Sequence, residues 1–196
     1  FQMMVSDGSL SVLKILSDAA ARIAEGEVMQ LSTTNNIETS IEQYVEVIKA
    51  KTAELFAAAC EVGAAIVEND KQRKALREFG MNFGIAFQII DDALDYSANP
   101  EKFGKTIGDD FREGKVTLPI IYAYERGSAE DKKFWQNVIS GGGEIREGEL
   151  ESARNLINST SSFTSSIEYA KKFADAAKTS LDIFPASEVK TALISI

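Results

Sequence analysis

Proline occurs only three times in this 196-residue chain, and no stretch alternates apolar and polar residues with a period of two. A strand-built domain needs such alternation, or short apolar runs cut by frequent turns. What the chain offers instead is long segments rich in Ala, Leu, Ile, Glu and Lys, mostly strong helix formers. Hydrophobic residues make up 44% of it, too many for a disordered chain and enough for a buried core. The pattern predicts an all-α protein.

Helix boundaries follow from the local signals. Ser9, after the Asp7-Gly8 turn, predicts the N-cap of a helix running to about Leu31. Thr33 to Asn36 reads as a loop. Thr39 or Ser40 caps a second helical stretch, with Glu42 or Gln43 as the capping-box partner. That stretch continues past Ala59 and bends near Gly63. A third helix covers about Lys71 to Tyr96, and its apolar run from Phe83 to Leu94 predicts a central position. Ser97 to Lys115, with Pro100 and three glycines, reads as a long charged functional loop. Thr117 and Pro119 restart a helix. Further helices are expected over 129–139, 146–159, 163–182 and 187–195, with Gly141-Gly142-Gly143 as a linker.

Charge and rare residues exclude several functions. A formal net charge of −9 argues against nucleic-acid binding, which wants a basic face. The chain has no histidine, which removes Ser-His and Cys-His nucleophiles and the usual zinc sites. The single cysteine, Cys60 in a run of alanines, reads as core packing in a reducing, cytoplasmic setting. No apolar run reaches the roughly 18 residues of a membrane span, and no secretory leader is visible.

The chemistry concentrates in Phe87-Gln88-Ile89-Ile90-Asp91-Asp92-Ala93-Leu94-Asp95-Tyr96. Asp91 and Asp95, four residues apart, share one helix face. Like charges so placed repel unless a cation lies between them. Hard carboxylate oxygens suit Mg²⁺, which takes a few carboxylates together with waters and substrate phosphates. The plainer reading is an acidic last turn exposed to water, although an anionic C-terminal turn opposes the helix dipole. Gly104-Lys105-Thr106 follows, then Gly108-Asp109-Asp110 and Arg112-Glu113-Gly114-Lys115. Loop lysines framed by glycines can approach a phosphate as point charges. The Walker spacing is absent. Lys51, Thr52 and Gln88 lie within apolar helical segments, where they would either serve a site or hydrogen-bond across a helix interface.

Taken together, these segments resemble the trans-isoprenyl diphosphate synthases. Phe87-Gln88-x-x-Asp91-Asp92-x-x-Asp95 is similar to that family's second aspartate-rich motif. Lys51-Thr52, Gly104-Lys105 and the stretch from Gly108 to Pro119 stand where the family has its other motifs, in order. Glu25-Gly26-Glu27-x-x-Gln30 resembles a further one. The resemblance runs to about Arg126 and is closest to long-chain enzymes that make octaprenyl or decaprenyl tails for quinones. The family's first aspartate-rich motif is absent, and Phe1-Gln2 matches sequence that lies shortly after it. The expectation is therefore a single domain over 1–196, the N-terminally truncated C-terminal portion of a longer chain.

The resemblance implies a bundle of long antiparallel helices around a central cavity, the isoprenoid synthase fold. It implies a prenyltransferase that joins isopentenyl diphosphate to an allylic diphosphate with Mg²⁺ as cofactor. Asp91, Asp92 and Asp95 would hold the metal, Asp91 directly and the others directly or through water. Lys51 and Lys105 would contact the allylic diphosphate, and Thr52 and Gln88 would turn oxygens towards the cation. Lys115 would bind substrate or pair with Asp109 or Asp110, and Glu27 and Gln30 would face the cavity. A homodimer is implied, with peripheral membrane contact for product release. A class I terpene cyclase and a non-catalytic partner subunit are the alternatives. The first normally lacks the Lys-Thr and Gly-Lys pairs, and the second usually loses the aspartate motif kept here.

Overall fold

The computed structural model describes residues 2–65, 69–97, 108–141 and 146–196. Among them there are helices and turns and no strand. The helices are α1 (Gln2–Asp7), α2 (Leu10–Thr33), α3 (Ile41–Ile48), α4 (Glu54–Ala65), α5 (Asp70–Leu94) and α6 (Asp109–Arg112). They continue as α7 (Leu118–Arg126), α8 (Ala129–Ile139), α9 (Glu147–Ser159), α10 (Ser162–Ser180) and α11 (Glu188–Ser195). One π-helical turn, Lys49–Ala53, joins α3 to α4.

The caps explain most of the starts. Ser9 Oγ accepts from the Val12 backbone N–H at 3.3 Å. Ser40 and Gln43 form a reciprocal box: Gln43 N–H donates to Ser40 Oγ at 3.2 Å, and Ser40 N–H donates to Gln43 Oε1 at 2.9 Å. Asn69 Oδ1 accepts from Gln72 N–H at the head of α5. Pro119 lies in the first turn of α7, where its missing N–H costs nothing.

The second helical stretch stays helical through Gly63 to Ala65, with a π turn earlier, over Lys49–Ala53. One expectation is corrected. The end of the expected loop over 97–115 is helical: Asp109–Arg112 forms α6 behind Gly108, whose φ of 79° is the left-handed conformation that glycine tolerates best. The Gly142 and Gly143 part of the expected linker lies outside the described residues.

The chain divides into two compact units. The first comprises Phe1–Glu27, Ile48–Ala86 and Lys171–Ile196. Its packing is close because small residues let helices approach. A Cβ on Gly26 of α2 would lie 2.6 Å from the Lys51 backbone N, and one on Gly84 of α5 would lie 2.6 Å from Ala53 Cα. The π turn is therefore gripped from two sides by helices that touch it backbone to side. Ile15 and Ala19 pack on Ala58. Phe79, Ala177 and Leu181 form a second cluster that Cys60, Leu76 and Phe83 cover, so Cys60 is a packing residue there. Glu54 and Glu61 of α4, each 7% exposed, are held by arginines of α5. Arg77 donates to Glu54 at 2.6 Å and to Glu61 at 2.9 Å, and Arg73 donates to Glu61 at 2.7 Å.

The second unit comprises Val28–Val47 and Phe87–Ala170. Its core gathers Ile89 and Ala93 of α5 with Phe111, Leu118, Ile120, Trp135 and Ile157. Phe111 and Trp135 meet edge to face, centroids 6.2 Å apart. The expected central position of the apolar run of α5 holds for Ile85, Ile89 and Ala93, all at or near zero exposure, whereas Phe87 is half exposed.

Arg77→Met tests the ion network. Removing it leaves the buried Glu54 without its guanidinium partner. Breaking a fully buried pair costs about 3–5 kcal/mol, and the 39% exposure of the Arg77 side chain reduces that to about 2 kcal/mol. Chemical denaturation of wild type and variant is expected to show that loss. An unchanged midpoint would show that water replaces the pair at no cost.

Candidate functional site

The last turns of α5 carry Gln88, Asp91 and Asp92, with Asp95 in the turn just after it, and the three aspartates meet different surroundings. Asp92 is 5% exposed and points into the protein. Tyr44 of α3 donates its hydroxyl to Asp92 Oδ2 at 2.6 Å, and Gln88, one turn back, donates its amide to Oδ1 at 2.6 Å. The Gln88 amide nitrogen thus faces Asp92, and its amide oxygen is turned away from that carboxyl. Burial raises the Asp92 carboxyl from 3.8 to about 7; the charges of Asp110 and Asp91 add to the rise, and the Tyr44 and Gln88 hydrogen bonds oppose it. Tyr44 itself is pushed well above its ordinary value, by burial first and by the Asp92 charge second.

Asp95, also buried, is engaged differently. Its Oδ1 accepts from Gly108 N–H and its Oδ2 from Asp110 N–H, both at 3.1 Å. Its backbone oxygen accepts from Gly108 N–H as well. Burial and the Asp110 charge raise its carboxyl above the ordinary value, against the backbone hydrogen bonds that lower it. Asp91 is half-buried and lies beside these two on the same turn.

Lys115 sits 2.7 Å from Asp110 and 2.8 Å from Glu113. Burial works against its charge, but these two partners outweigh it and raise its value well above the ordinary one. In the structure Lys115 is thus a charge partner of Asp110 and Glu113. Asn35, at the end of α2, takes a left-handed φ of 58° and donates its backbone N–H to the Gly114 carbonyl at 2.8 Å, tying down the turn that leads to Lys115.

In the other unit the π turn presents Lys51 and Thr52, both half-buried. Such turns leave helical hydrogen bonds unmade and often mark functional positions. Lys51 Nζ lies 3.2 Å from Glu27 Oε2, so two residues singled out from the sequence meet. Gln30 is half-buried, and its backbone oxygen accepts the hydroxyls of Thr33 and Thr34. Gly104 and Lys105 lie outside the described residues.

Sequence reasoning missed Tyr44. It sits among Val45, Val47 and Ile48 and reads as core. The available signal was chemical: a tyrosine on an apolar helix face buries a hydroxyl that needs a partner.

The donor set around Asp91 and Asp92 is oxygen only, which fits Mg²⁺. Among the described residues no three acidic side chains are arranged to hold an ion by themselves. Mg²⁺ does not require that, since it is commonly bound by one or two carboxylates with waters and substrate phosphates.

Comparison with known proteins places this arrangement. The polyprenyl synthetase family profile matches residues 1–157, and the chain belongs to that family. It is 40% identical to the octaprenyl diphosphate synthase of Haemophilus influenzae over 197 aligned residues, all of this chain and 59% of that protein. It superposes with a TM-score of 0.94, at 44% identity, on the polyprenyl synthase of Caulobacter crescentus, solved with calcium and isoprenyl diphosphate; the match covers 99% of this chain and 59% of that one. A decaprenyl diphosphate synthase from Rhodobacter capsulatus gives 0.92 at 39% identity, over all of this chain and 60% of that one. The fold is therefore the all-α isoprenoid synthase fold, and the chain spans about three fifths of the length of these relatives.

The Asp92 environment predicts a pH dependence. A carboxyl whose value is raised on folding binds its proton more tightly when folded. Its contribution to stability is full below about 4 and is lost as pH rises through 7. The melting temperature of the metal-free protein is expected to fall between pH 5 and pH 8 relative to Asp92→Asn, measured in parallel. Parallel curves for the two proteins would place Asp92 in water.

Proposed function

We propose that this chain is part of a prenyltransferase that adds isopentenyl diphosphate to an allylic diphosphate, building a long-chain trans-polyprenyl diphosphate. The observation that carries the reading is the last turn of α5, where Asp92 is turned inward onto Tyr44 and Gln88 while Asp91 stands beside it half-exposed. Octaprenyl and decaprenyl products of relatives support a long chain, of the length quinone side chains use.

In this reading Asp91 holds Mg²⁺ at the allylic diphosphate, with Asp92 behind it. Bound Mg²⁺ supplies positive charge against the departing diphosphate. Lys51 exchanges Glu27 for diphosphate oxygens, and Lys105 adds a second positive charge. The C–O bond of the allylic diphosphate breaks, and its electron pair leaves with the diphosphate. Gln88 presents its amide oxygen, and Thr52 its hydroxyl oxygen, to the allylic cation. The isopentenyl double bond supplies the electron pair of the new C–C bond. A proton is then lost to restore a double bond. The released diphosphate accepts it, as suits a chain without histidine.

The working unit in this reading is a homodimer. On α2, Leu10, Val28 and Leu31 are 80%, 67% and 76% exposed, apolar surface that a second copy would cover. Among the described residues no helix is long and apolar enough to cross a membrane, and the apolar product is handed over by peripheral contact. A cytoplasmic setting suits the free thiol of Cys60.

Asp91→Ala in the whole protein tests the metal role. Loss of an electrostatic contact to the charge that grows on the leaving group is worth about 3 kcal/mol, about a hundredfold in rate. Turnover of labelled isopentenyl diphosphate at saturating Mg²⁺ is expected to fall by that factor, with the metal-free melting temperature unchanged or slightly raised. Glu130→Ala, at an exposed position of α8, is the control and retains full turnover. Near-normal turnover of Asp91→Ala would remove that carboxylate from the mechanism.

A further inference from the structure

Three carboxylates in a DDxxD pattern suggest three metal ligands, but the hydrogen bonds around Asp95 point elsewhere. Both of its oxygens face backbone. Oδ1 accepts from Gly108 N–H and Oδ2 from Asp110 N–H, each at 3.1 Å, and the backbone oxygen of Asp95 also accepts from Gly108. The carboxylate thus joins the end of α5 to the start of α6, thirteen and fifteen residues further on.

What this clasp holds is itself part of the acidic site. After burial, the Asp110 charge acts most strongly on the Asp95 carboxyl, and it also acts on Asp92. Lys115 closes on Asp110 at 2.7 Å, and its own backbone N–H donates to the Asp110 carbonyl at 3.0 Å. Behind the turn, a side chain on Gly108 would collide with Leu150, whose Cδ1 would lie 2.5 Å from its Cβ. The turn is therefore seated on α9 from one side and held by Asp95 from the other.

We propose that Asp95 is a positioning residue and not a Mg²⁺ ligand: it clasps the Gly108 and Asp110 amides and so fixes the Asp110–Lys115 charge pair beside Asp92. Direct coordination would draw its oxygens away from both amides; Gly108 N–H would keep the Asp95 backbone oxygen, but the part-buried Asp110 N–H would lose its acceptor, and a shielded donor without a partner is costly. The inference rests on the proposed function only for the meaning of metal binding; the clasp itself is testable without substrate.

The experiment uses the whole protein with Asp95→Asn, Asp95→Ala and Asp91→Asn. Amide hydrogen exchange is read first, without metal, using the amides of α10 as an internal reference for folding. A hydrogen bond to a charged acceptor protects an amide by about ten- to a hundredfold. Asp95→Ala is expected to speed exchange at Asp110 by that factor and at Gly108, which keeps the Asp95 backbone oxygen as acceptor, by less; Asp95→Asn, which keeps one accepting oxygen, is expected to speed exchange at one of the two. Calorimetric titration with Mg²⁺ in the presence of inorganic diphosphate is read second. Asp95→Asn is expected to keep the wild-type affinity within about threefold, while Asp91→Asn weakens it by about tenfold or more. Unchanged exchange at Gly108 and Asp110 overturns the clasp. A loss of affinity in Asp95→Asn matching that in Asp91→Asn overturns its exclusion from the metal. If wild type itself fails to bind Mg²⁺-diphosphate, the proposed function falls and the exchange result alone decides the clasp. Should Asp95→Ala not fold, the single-amide effect in Asp95→Asn decides it.

Discussion

A carboxylate buried inside an apolar helix is the constraint on which the acidic site depends. Asp92 is 5% exposed, flanked in sequence by Asp91 and faced by the charge of Asp110. Unsupported, such a group would take up a proton. Tyr44 and Gln88 oppose this with two short hydrogen bonds. The same two bonds set geometry. They fix the rotation of the last turns of α5, turn the Gln88 amide oxygen away from Asp92, and leave Asp91 on the half-exposed side of the turn. The three aspartates are thus unequal: Asp92 is held by side chains, Asp95 by backbone amides, and Asp91 is only half-buried.

A different device shapes the neighbourhood of Lys51. There, glycine rather than charge does the positioning. Gly26 and Gly84 let α2 and α5 press directly on the Lys49–Ala53 turn, and any larger residue would force backbone apart. The paired Glu54, Glu61, Arg73 and Arg77 lock α4 to α5 just beyond it. Both devices spend stability on placement: a buried ion network and interior helical glycines are each poorer stabilisers than a well-packed apolar core.

Much of this was legible in the sequence because it is local. Ser9 and Ser40 with Gln43 marked helix starts through side-chain hydrogen bonds to adjacent amides. The i, i+4 spacing of Asp91 and Asp95 placed them on one face, and the order of the motifs pointed to the family. What was not legible depended on distance in the chain. Tyr44 meets Asp92 across 48 residues, and the clasp of Asp95 on Gly108 and Asp110 needs a return of the chain that spacing does not reveal. The helical turn Asp109–Arg112 was hidden behind glycines and charges that ordinarily signal a loop. The π turn escaped because its sequence, Lys49 to Ala53, is mostly good helix former, with Thr52 the weaker exception.

The account stands or falls on the state of Asp92, which can be read directly. The carboxyl carbon of Asp92, followed by NMR in metal-free whole protein labelled at aspartate, reports its titration. The account predicts a midpoint near the value of about 7 that burial sets, and a higher one in Tyr44→Phe, where one of the two opposing hydrogen bonds is gone. A midpoint near 4, the ordinary range of an aspartate in water, unmoved by Tyr44→Phe, would contradict it.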